Sequence, residues 1–565
     1  MANTFQRTAI QYISKRTPAV SSFIIRPKST EANILKSVYP KLQNIKYTVN
    51  DFVWQNLDRW PDKTLAVCPT TGHGYTYAQS YKMSVTFAAS LRTKLKLQND
   101  DKVAIILPNI PEYPCTVLGV LQAGCIASMM NPTYTAHEIK RQLELIDCKA
   151  IVTSTLSYPN VLAALKEIKS KIPVILISNE ETPEGAIKYA EFTEDLSVDT
   201  SCLKSVHRSP KDVAILPFSS GTTGFPKGVV LTHQSVVAMN QMILSPGIVA
   251  VEEASASYQS VIPAILPFFH IFGFNALMLN LMTFGVKLVT MASFKPELFL
   301  QSIVKHKVQH LYVVPPMVVF LGKHPAVKPE HLASIEGIVS GAAPLSETDA
   351  AAVLKKNEKI IFRQGYGLTE TNGGVSVGYK DDTNHAAVGH IFPDSEVKIA
   401  DLVTQEALPA GQEGEIWYRG PNLMKGYYKD EKSTKEVMTD DGWYKTGDIG
   451  KFDDKNYLYV TDRLKELIKV KGFQVPPAEL ETIIRTHPKI LDCAVLGIPD
   501  PVTGEAPKAF LVPQAGQTLS PEEIMEYVNS KVVGFKNIKS VQFVDSIPKN
   551  PAGKILRKDL KEKYC

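Results

Sequence analysis

The chain has 565 residues, 44% hydrophobic and 21% charged, with 33 glycines and 37 prolines. This globular balance excludes a collagen, a coiled coil and a disordered tail, and the length gives room for about two to four domains with a large core. The net charge of +5 comes from Arg7, Lys15, Arg16, Arg26 and Lys28, which precede the first acid, Glu31; the rest is neutral, so no nucleic-acid surface is expected.

Residues 1–33 read as a basic N-terminal extension. The segment is free of acids to residue 30 and contains four serines. Phe5, Ala9, Ile10, Tyr12 and Ile13 fall toward one helical face. This composition matches a mitochondrial transit peptide rather than a secretory signal. The predicted address is mitochondrial, with cytosolic and peroxisomal addresses as alternatives. Lys563-Tyr564-Cys565 is neither an S-K-L signal nor a C-a-a-X box. The seven cysteines are scattered without metal-ligand spacing, which predicts free thiols.

From residue 101 short apolar runs alternate with helical patterns. Residues 102–107 read as a strand, 112–123 as a helix and 125–130 as a strand. A helix is predicted at 136–146, with Thr135 and Glu138 at capping-box spacing. Strands follow at 148–153 and 173–178, around another helical stretch. This alternation predicts βαβ units and a parallel sheet covered by helices. Residues 113–130 and 261–291 are apolar, but prolines, asparagines and a histidine interrupt them. Both read as core elements, so no transmembrane segment is predicted.

The last hundred residues differ. Strands are predicted at 457–461, 467–470, 494–496, 509–512 and 540–544, with a helix at 477–485. Ser520, Pro521 and the acids Glu522 and Glu523 open a further helix. The predicted fold is α/β: a large N-terminal domain with βαβ layers over 34–463, and a small α+β domain over 464–565.

The strongest local signal is Ser-Ser-Gly-Thr-Thr-Gly-Phe-Pro-Lys-Gly at 219–228, between strands predicted at 213–217 and 229–231. Small residues let backbone N–H groups close on phosphate oxygens, hydroxyls add donors, and Lys227 adds charge. The spacing is not that of a Walker A loop. Further motifs are Ser-Gly-Ala-Ala-Pro at 340–344, Gln-Gly-Tyr-Gly-Leu-Thr-Glu at 364–370 and Tyr-Lys-Thr-Gly-Asp at 444–448. Asp462–Gln474 reads Asp-Arg-Leu-Lys-Glu-Leu-Ile-Lys-Val-Lys-Gly-Phe-Gln, and Pro-Ala-Gly-Lys stands at 551–554.

Together, in this order over about residues 38–565, these motifs resemble those of the adenylate-forming superfamily. That family comprises acyl-CoA synthetases, 4-coumarate–CoA ligases and beetle luciferases. The resemblance implies a two-step ligase. ATP and a carboxylate give acyl-AMP and pyrophosphate, and CoA then displaces AMP. It implies that Ser219, Ser220, Gly221, Thr222, Thr223, Gly224 and Lys227 cradle the phosphates. Gly341, Ala342, Ala343, Gln364, Gly365, Tyr366 and Gly367 flank the nucleotide, and Thr369 touches the α-phosphate. Asp448 and Arg463 bind the ribose hydroxyls, while Glu370, with Thr223, holds Mg²⁺, a cation suited to oxygen ligands.

By the same resemblance, Lys554 bridges the substrate carboxylate and the α-phosphate. His270 gates the two steps where the acyl and nucleotide pockets meet. The small domain is mobile about Lys465, and its swing presents Lys469, Lys471, Gly472 and Gln474 to the CoA step. The acyl pocket is expected at Met239, His270 and Phe272. Its segments offer apolar side chains and no cation beyond His270, which favours a medium- or long-chain fatty acid. The alternatives are an aromatic acid of the 4-coumarate type, a luciferase-like monooxygenase, and an inactive nucleotide- or acyl-binding protein. Met239 stands where beetle luciferases carry an arginine, which counts against light emission. The expected partners are a small carboxylate and CoA, with peripheral membrane contact.

Overall fold

The structure, a computed structural model, describes residues 33–42, 45–195, 197–219, 226–343, 345–470, 473–551 and 553–564. The expected transit peptide lies outside the described residues, apart from Asn33. A mixed α/β architecture has a large N-terminal domain and a smaller C-terminal one.

The βαβ reading holds at its centre. Strand Lys102–Ile106 pairs in parallel with Ile126–Met129 and with Cys148–Ser154, and Val174–Ile177 extends the sheet. Helix Tyr113–Gln122 forms the first crossover. Helix Ala136–Ile146 begins at Thr135, whose hydroxyl accepts from the Glu138 N–H while Glu138 Oε2 accepts from the Thr135 N–H. Ile139, Leu143 and Ile146 then fall at helical spacing and are buried, which fixes the packed face.

The sheet is not parallel throughout. Strands Val213–Ile215, Phe218–Ser219 and Lys227–Thr232 meet antiparallel. Their connections are too short for a crossover, so the chain folds back on itself. A second sheet is wholly antiparallel: Ile34–Lys36, Glu396–Ala400, Gly414–Arg419, Tyr444–Phe452 and Leu458–Arg463. A third begins with three parallel strands, His310–Val313, Gly337–Ser340 and Ile361–Tyr366. These two sheets carry most of the site described below.

In the small domain, the runs predicted at 494–496 and 509–512 are the middles of one long hairpin, Ile490–Asp500 and Gly504–Pro513. Its ends are partly exposed and therefore lack an apolar signature. Asp500 Oδ1 accepts from the Val502 and Thr503 N–H groups to close the turn. Helices Pro477–Arg485 and Pro521–Asn529 pack on this sheet.

Both apolar stretches are interior. Residues 261–291 contain strand Val261–Ala264, the π-helical stretch Gly273–Leu279 and strand Lys287–Thr290. No described helix is long and apolar enough to cross a membrane. The six described cysteines are free thiols.

Gly273 opens the π-helical stretch against the preceding turn. A Cβ there would lie 2.2 Å from the Pro267 carbonyl oxygen. Gly273→Ala is therefore expected to lower the urea midpoint, at a cost of about 1–3 kcal/mol. An unchanged midpoint would contradict this packing.

Candidate active site

The phosphate corner forms where strand Phe218–Ser219 pairs with the start of Lys227–Thr232, Ser219 opposite Lys227. Ser219 Oγ is buried without a hydrogen-bond partner among the described residues, as a group reserved for a ligand would be. Lys227 Nζ donates to Ser433 Oγ at 2.7 Å and lies 4.9 Å over the Tyr427 ring. Ser220, Gly221, Thr222, Thr223 and Gly224 lie outside the described residues.

Strand Ile361–Tyr366 leads into the 3₁₀ turn Thr369–Thr371, closed by Asn372 in the left-handed region at φ 53°. Glu370 is buried in this turn, and its Oε1 accepts from the Tyr427 hydroxyl at 2.9 Å. Asn275 Nδ2 donates to the Asn372 carbonyl at 2.8 Å, and Asn372 Nδ2 to the Asn422 carbonyl at 2.7 Å. This buried amide chain ties the turn to the helix that follows His270.

The antiparallel sheet sets Asp448 opposite Arg463. Arg463 Nε lies 3.1 Å from Asp448 Oδ1, and the Tyr366 hydroxyl donates to Oδ2 at 2.6 Å. Gln364 Nε2 donates to the His385 carbonyl at 2.5 Å. Ala342 has φ 74°, a left-handed conformation unfavourable for a residue with a Cβ.

Lys554 ends a tight loop. Its carbonyl accepts from the Asn550 N–H, and its own N–H donates to Asn550 Oδ1, both at 2.9 Å. Gly553, at φ 77°, lies so close to Pro316 that a Cβ would be 3.0 Å from the ring. The small domain's loop thus rests on helix Pro315–Lys323 of the large domain. Desolvation and the nearby Arg463 pull the Lys554 ammonium down to about 8, against Glu466 and Asp448. Burial lowers the His270 imidazole to about 4, so it is neutral at pH 7. Its Nδ1 accepts from the Phe272 N–H at 3.3 Å, which leaves the proton on Nε2.

These groups converge. Ser219, Lys227, His270, Thr369, Glu370 and Lys554 line one cavity of about 390 Å³. Met239, Phe272, Gly341, Gly365, Gly367 and Lys465 line it too. An adjoining cavity of about 420 Å³ is lined by Ala343, Gln364 and Asp448. Ala342, Tyr366, Arg463 and Lys554 face both. Of the expected CoA residues, Lys469 is not among those lining these cavities. Lys469 is exposed, and its N–H donates to Glu505 Oε2 at 2.7 Å. Lys471 and Gly472 lie outside the described residues, and Gln474 is in strand Phe473–Val475.

Arg363, outside the segments expected to form the acyl pocket, also lines the cavity. Period-two alternation in Ile361–Tyr366 puts residues 363 and 365 on one face, and that signal was present in the sequence. Tyr427 and Ser433 had no such signal. They arrive through the pairing of Val229 with Tyr427, a contact far apart in the chain.

The donor set suits Mg²⁺. Glu370 offers a hard carboxylate, and among the described residues no group of three His, Cys, Asp or Glu side chains forms a complete cage. A cation shared between one carboxylate and nucleotide phosphates needs no more.

Comparisons with known proteins agree with this geometry. Residues 53–428 match the family described as AMP-binding enzyme, and residues 479–554 match the AMP-binding enzyme C-terminal domain. The chain is 37% identical over 527 residues to 4-coumarate–CoA ligase 1 of Arabidopsis thaliana, covering 92% of this chain and 93% of the relative. It is also 37% identical over 548 residues to 4-coumarate–CoA ligase 1 of Petroselinum crispum, covering 96% and 98%. ATP-bound MatB from Rhodopseudomonas palustris superposes with a TM-score of 0.80 at 25% identity, covering 92% and 99%. The chain belongs to the AMP-binding enzyme family, within the adenylate-forming superfamily of acid–thiol ligases.

Proposed function

We propose that the protein joins an aromatic carboxylic acid of the hydroxycinnamate type to CoA, using ATP. The carrying observation is the convergence of Lys554, Glu370, Thr369 and the Tyr366–Asp448–Arg463 cluster on joined cavities. Two features support an aromatic acid. The relatives at 37% identity are named 4-coumarate–CoA ligases. Gly341 also leaves a side-chain-free slot beside Phe272. A fatty acid, first in the sequence reading, becomes the second reading. The aliphatic lining at Ile243, Ile248 and Val251 favours it.

In the first step a carboxylate oxygen attacks the α-phosphorus and pyrophosphate leaves. Two anions must meet, so fixed cations and donors lower the barrier. Lys554 bridges carboxylate and α-phosphate, Thr369 donates to the α-phosphate, and Lys227 faces the phosphate tail. Asp448 and Arg463 hold the ribose. Glu370, with Thr223, would hold Mg²⁺, which when bound offsets triphosphate charge. Neutral His270 adds no charge where the acyl and nucleotide regions meet.

In the second step the CoA sulfur attacks the acyl carbon, and AMP leaves with the former carboxylate oxygen. Lys465 sits in the turn between strands Leu458–Arg463 and Ile468–Val470. Rotation there removes Lys554 and turns Lys469, Lys471, Gly472 and Gln474 toward the acyl-AMP. A mitochondrial address belongs to this proposal and rests on the acid-free residues 1–30; localisation of the tagged full chain tests it.

AMP and acyl-CoA formation with ATP, Mg²⁺, CoA and a panel from acetate through palmitate to 4-coumarate tests the activity. Gly341→Ala separates the substrate readings. Its methyl would lie 3.3 Å from the Phe272 ring, narrowing the slot. We expect kcat/KM for 4-coumarate to fall about tenfold, with palmitate affected less, because overpacking costs at least about 1 kcal/mol. The reverse order would favour the fatty-acid reading.

A further inference from the structure

In the parallel sheet, Tyr312 pairs with Val339, and Val339 with Arg363. The three form one cross-strand row, and all three line the cavity. Gly341, just past the end of its strand, and Gly365 stand two residues further along the chain from Val339 and Arg363. Gln364, on the opposite face, lines the adjoining cavity instead. Gly341 leaves a slot, and the Tyr312–Val339–Arg363 row lines the same cavity two residues back along the strands.

A guanidinium is costly to bury without an anionic acceptor. Arg363 is 5% exposed. Its Nη1 donates to the Ile248 carbonyl at 2.7 Å and reaches the Gly378 carbonyl only at 3.5 Å. Both acceptors are neutral. Asp382 acts on Arg363 through space; its Oδ1 accepts from the Tyr457 hydroxyl and the Asn384 N–H, and its Oδ2 is buried without a hydrogen-bond partner among the described residues. Among the described residues Arg363 forms no ion pair. The cavity thus has a buried cation in its lining, with a phenol in the same cross-strand row.

We infer that Arg363 is a specificity residue selecting an acid that carries an oxygen acceptor at the end remote from its reacting carboxylate. This rests on the ligase reading and narrows its substrate class. The ring hydroxyl of a hydroxycinnamate supplies such an oxygen, and so does the ω-hydroxyl of an aliphatic acid. The shared chemistry is a hydrogen-bond acceptor facing the guanidinium, with Tyr312 beside it.

The test compares kcat/KM for AMP formation by the full chain on two matched pairs: 4-coumarate against cinnamate, and ω-hydroxylaurate against laurate. The wild type is expected to prefer the oxygenated member of one pair by at least about tenfold, because a site built to bond an oxygen rejects the analogue lacking it. That pair identifies the source. Arg363→Met is expected to erase the preference, and Arg363→Lys to keep part of it. Equal loss on both members would assign Arg363 to clamping the Ile248 loop and overturn the inference. So would a wild type without preference in either pair, a result independent of how the variants fold. AMP formation with no acid at all would contradict the ligase reading itself.

Discussion

Replacing Lys554 by alanine is expected to lower acid-dependent ATP–pyrophosphate exchange by about 10²–10³-fold, with ATP affinity changed only about threefold. The loss concentrates in the chemical step because the ammonium matters most when carboxylate and α-phosphate approach. On the proposed roles, ground-state ATP keeps Lys227 and the Asp448–Arg463 pair. The pH profile carries a further signature. The competent form of Lys554 is protonated, and burial with Arg463 lowers its ammonium to about 8. Raising the pH through about 8 removes that proton from the free enzyme, so kcat/KM falls on the alkaline side. Bound triphosphate favours the ammonium, so the limb in kcat lies at higher pH. Lys554→Arg stays charged throughout and loses the limb at whatever rate survives. A kcat/KM flat between about pH 7 and pH 9 would contradict the assignment.

Replacing Asp448 by alanine is the second large effect. Its two oxygens hold the Arg463 guanidinium and the Tyr366 phenol. Removing them orphans both partners and deletes the proposed ribose acceptor. Hydrogen bonds to a charged group are worth about 1.5–3 kcal/mol, so the KM for ATP should rise by roughly 10- to 150-fold. The KM for the acid should move much less, because Asp448 lines the adjoining cavity rather than the acyl slot. Arg463 keeps some solvent access, so the loss of stability should be smaller, about 1–2 kcal/mol. Asp448→Asn retains an acceptor for Tyr366 and should fall between. ATP titration at saturating acid, followed by urea unfolding, separates the two effects. Equal increases in both KM values would show a general disturbance of the fold.

Much of this site could be read in the sequence because its parts are local. Thr135 and Glu138 announce a helix start within four residues. The 364–370 motif spans the end of one strand and the turn that holds Glu370. The parallel core from residue 102 to 177 was legible because buried parallel strands are continuous apolar runs. The antiparallel sheet that presents Asp448 to Arg463 was not. Its strands are half exposed, and its first member, Ile34–Lys36, pairs with residues more than 350 positions away. Tyr427 and Ser433 escaped for the same reason. Arg363 lay one residue before a recognised motif, yet its meaning depends on Tyr312 and Val339 in neighbouring strands. The Tyr312–Val339–Arg363 row is therefore a property of cross-strand pairing rather than of any segment.

The central claim is that the carboxylate is activated as an adenylate. It is tested most directly by labelling the carboxylate oxygens of 4-coumarate with a heavy oxygen isotope and following one turnover with ATP and CoA by mass spectrometry. The account predicts that one labelled oxygen appears in the phosphate of AMP, because that oxygen forms the bond to the α-phosphorus and stays there when sulfur displaces AMP. Label in inorganic phosphate, with ADP as the nucleotide product, would mean attack at the γ-phosphorus and would contradict it.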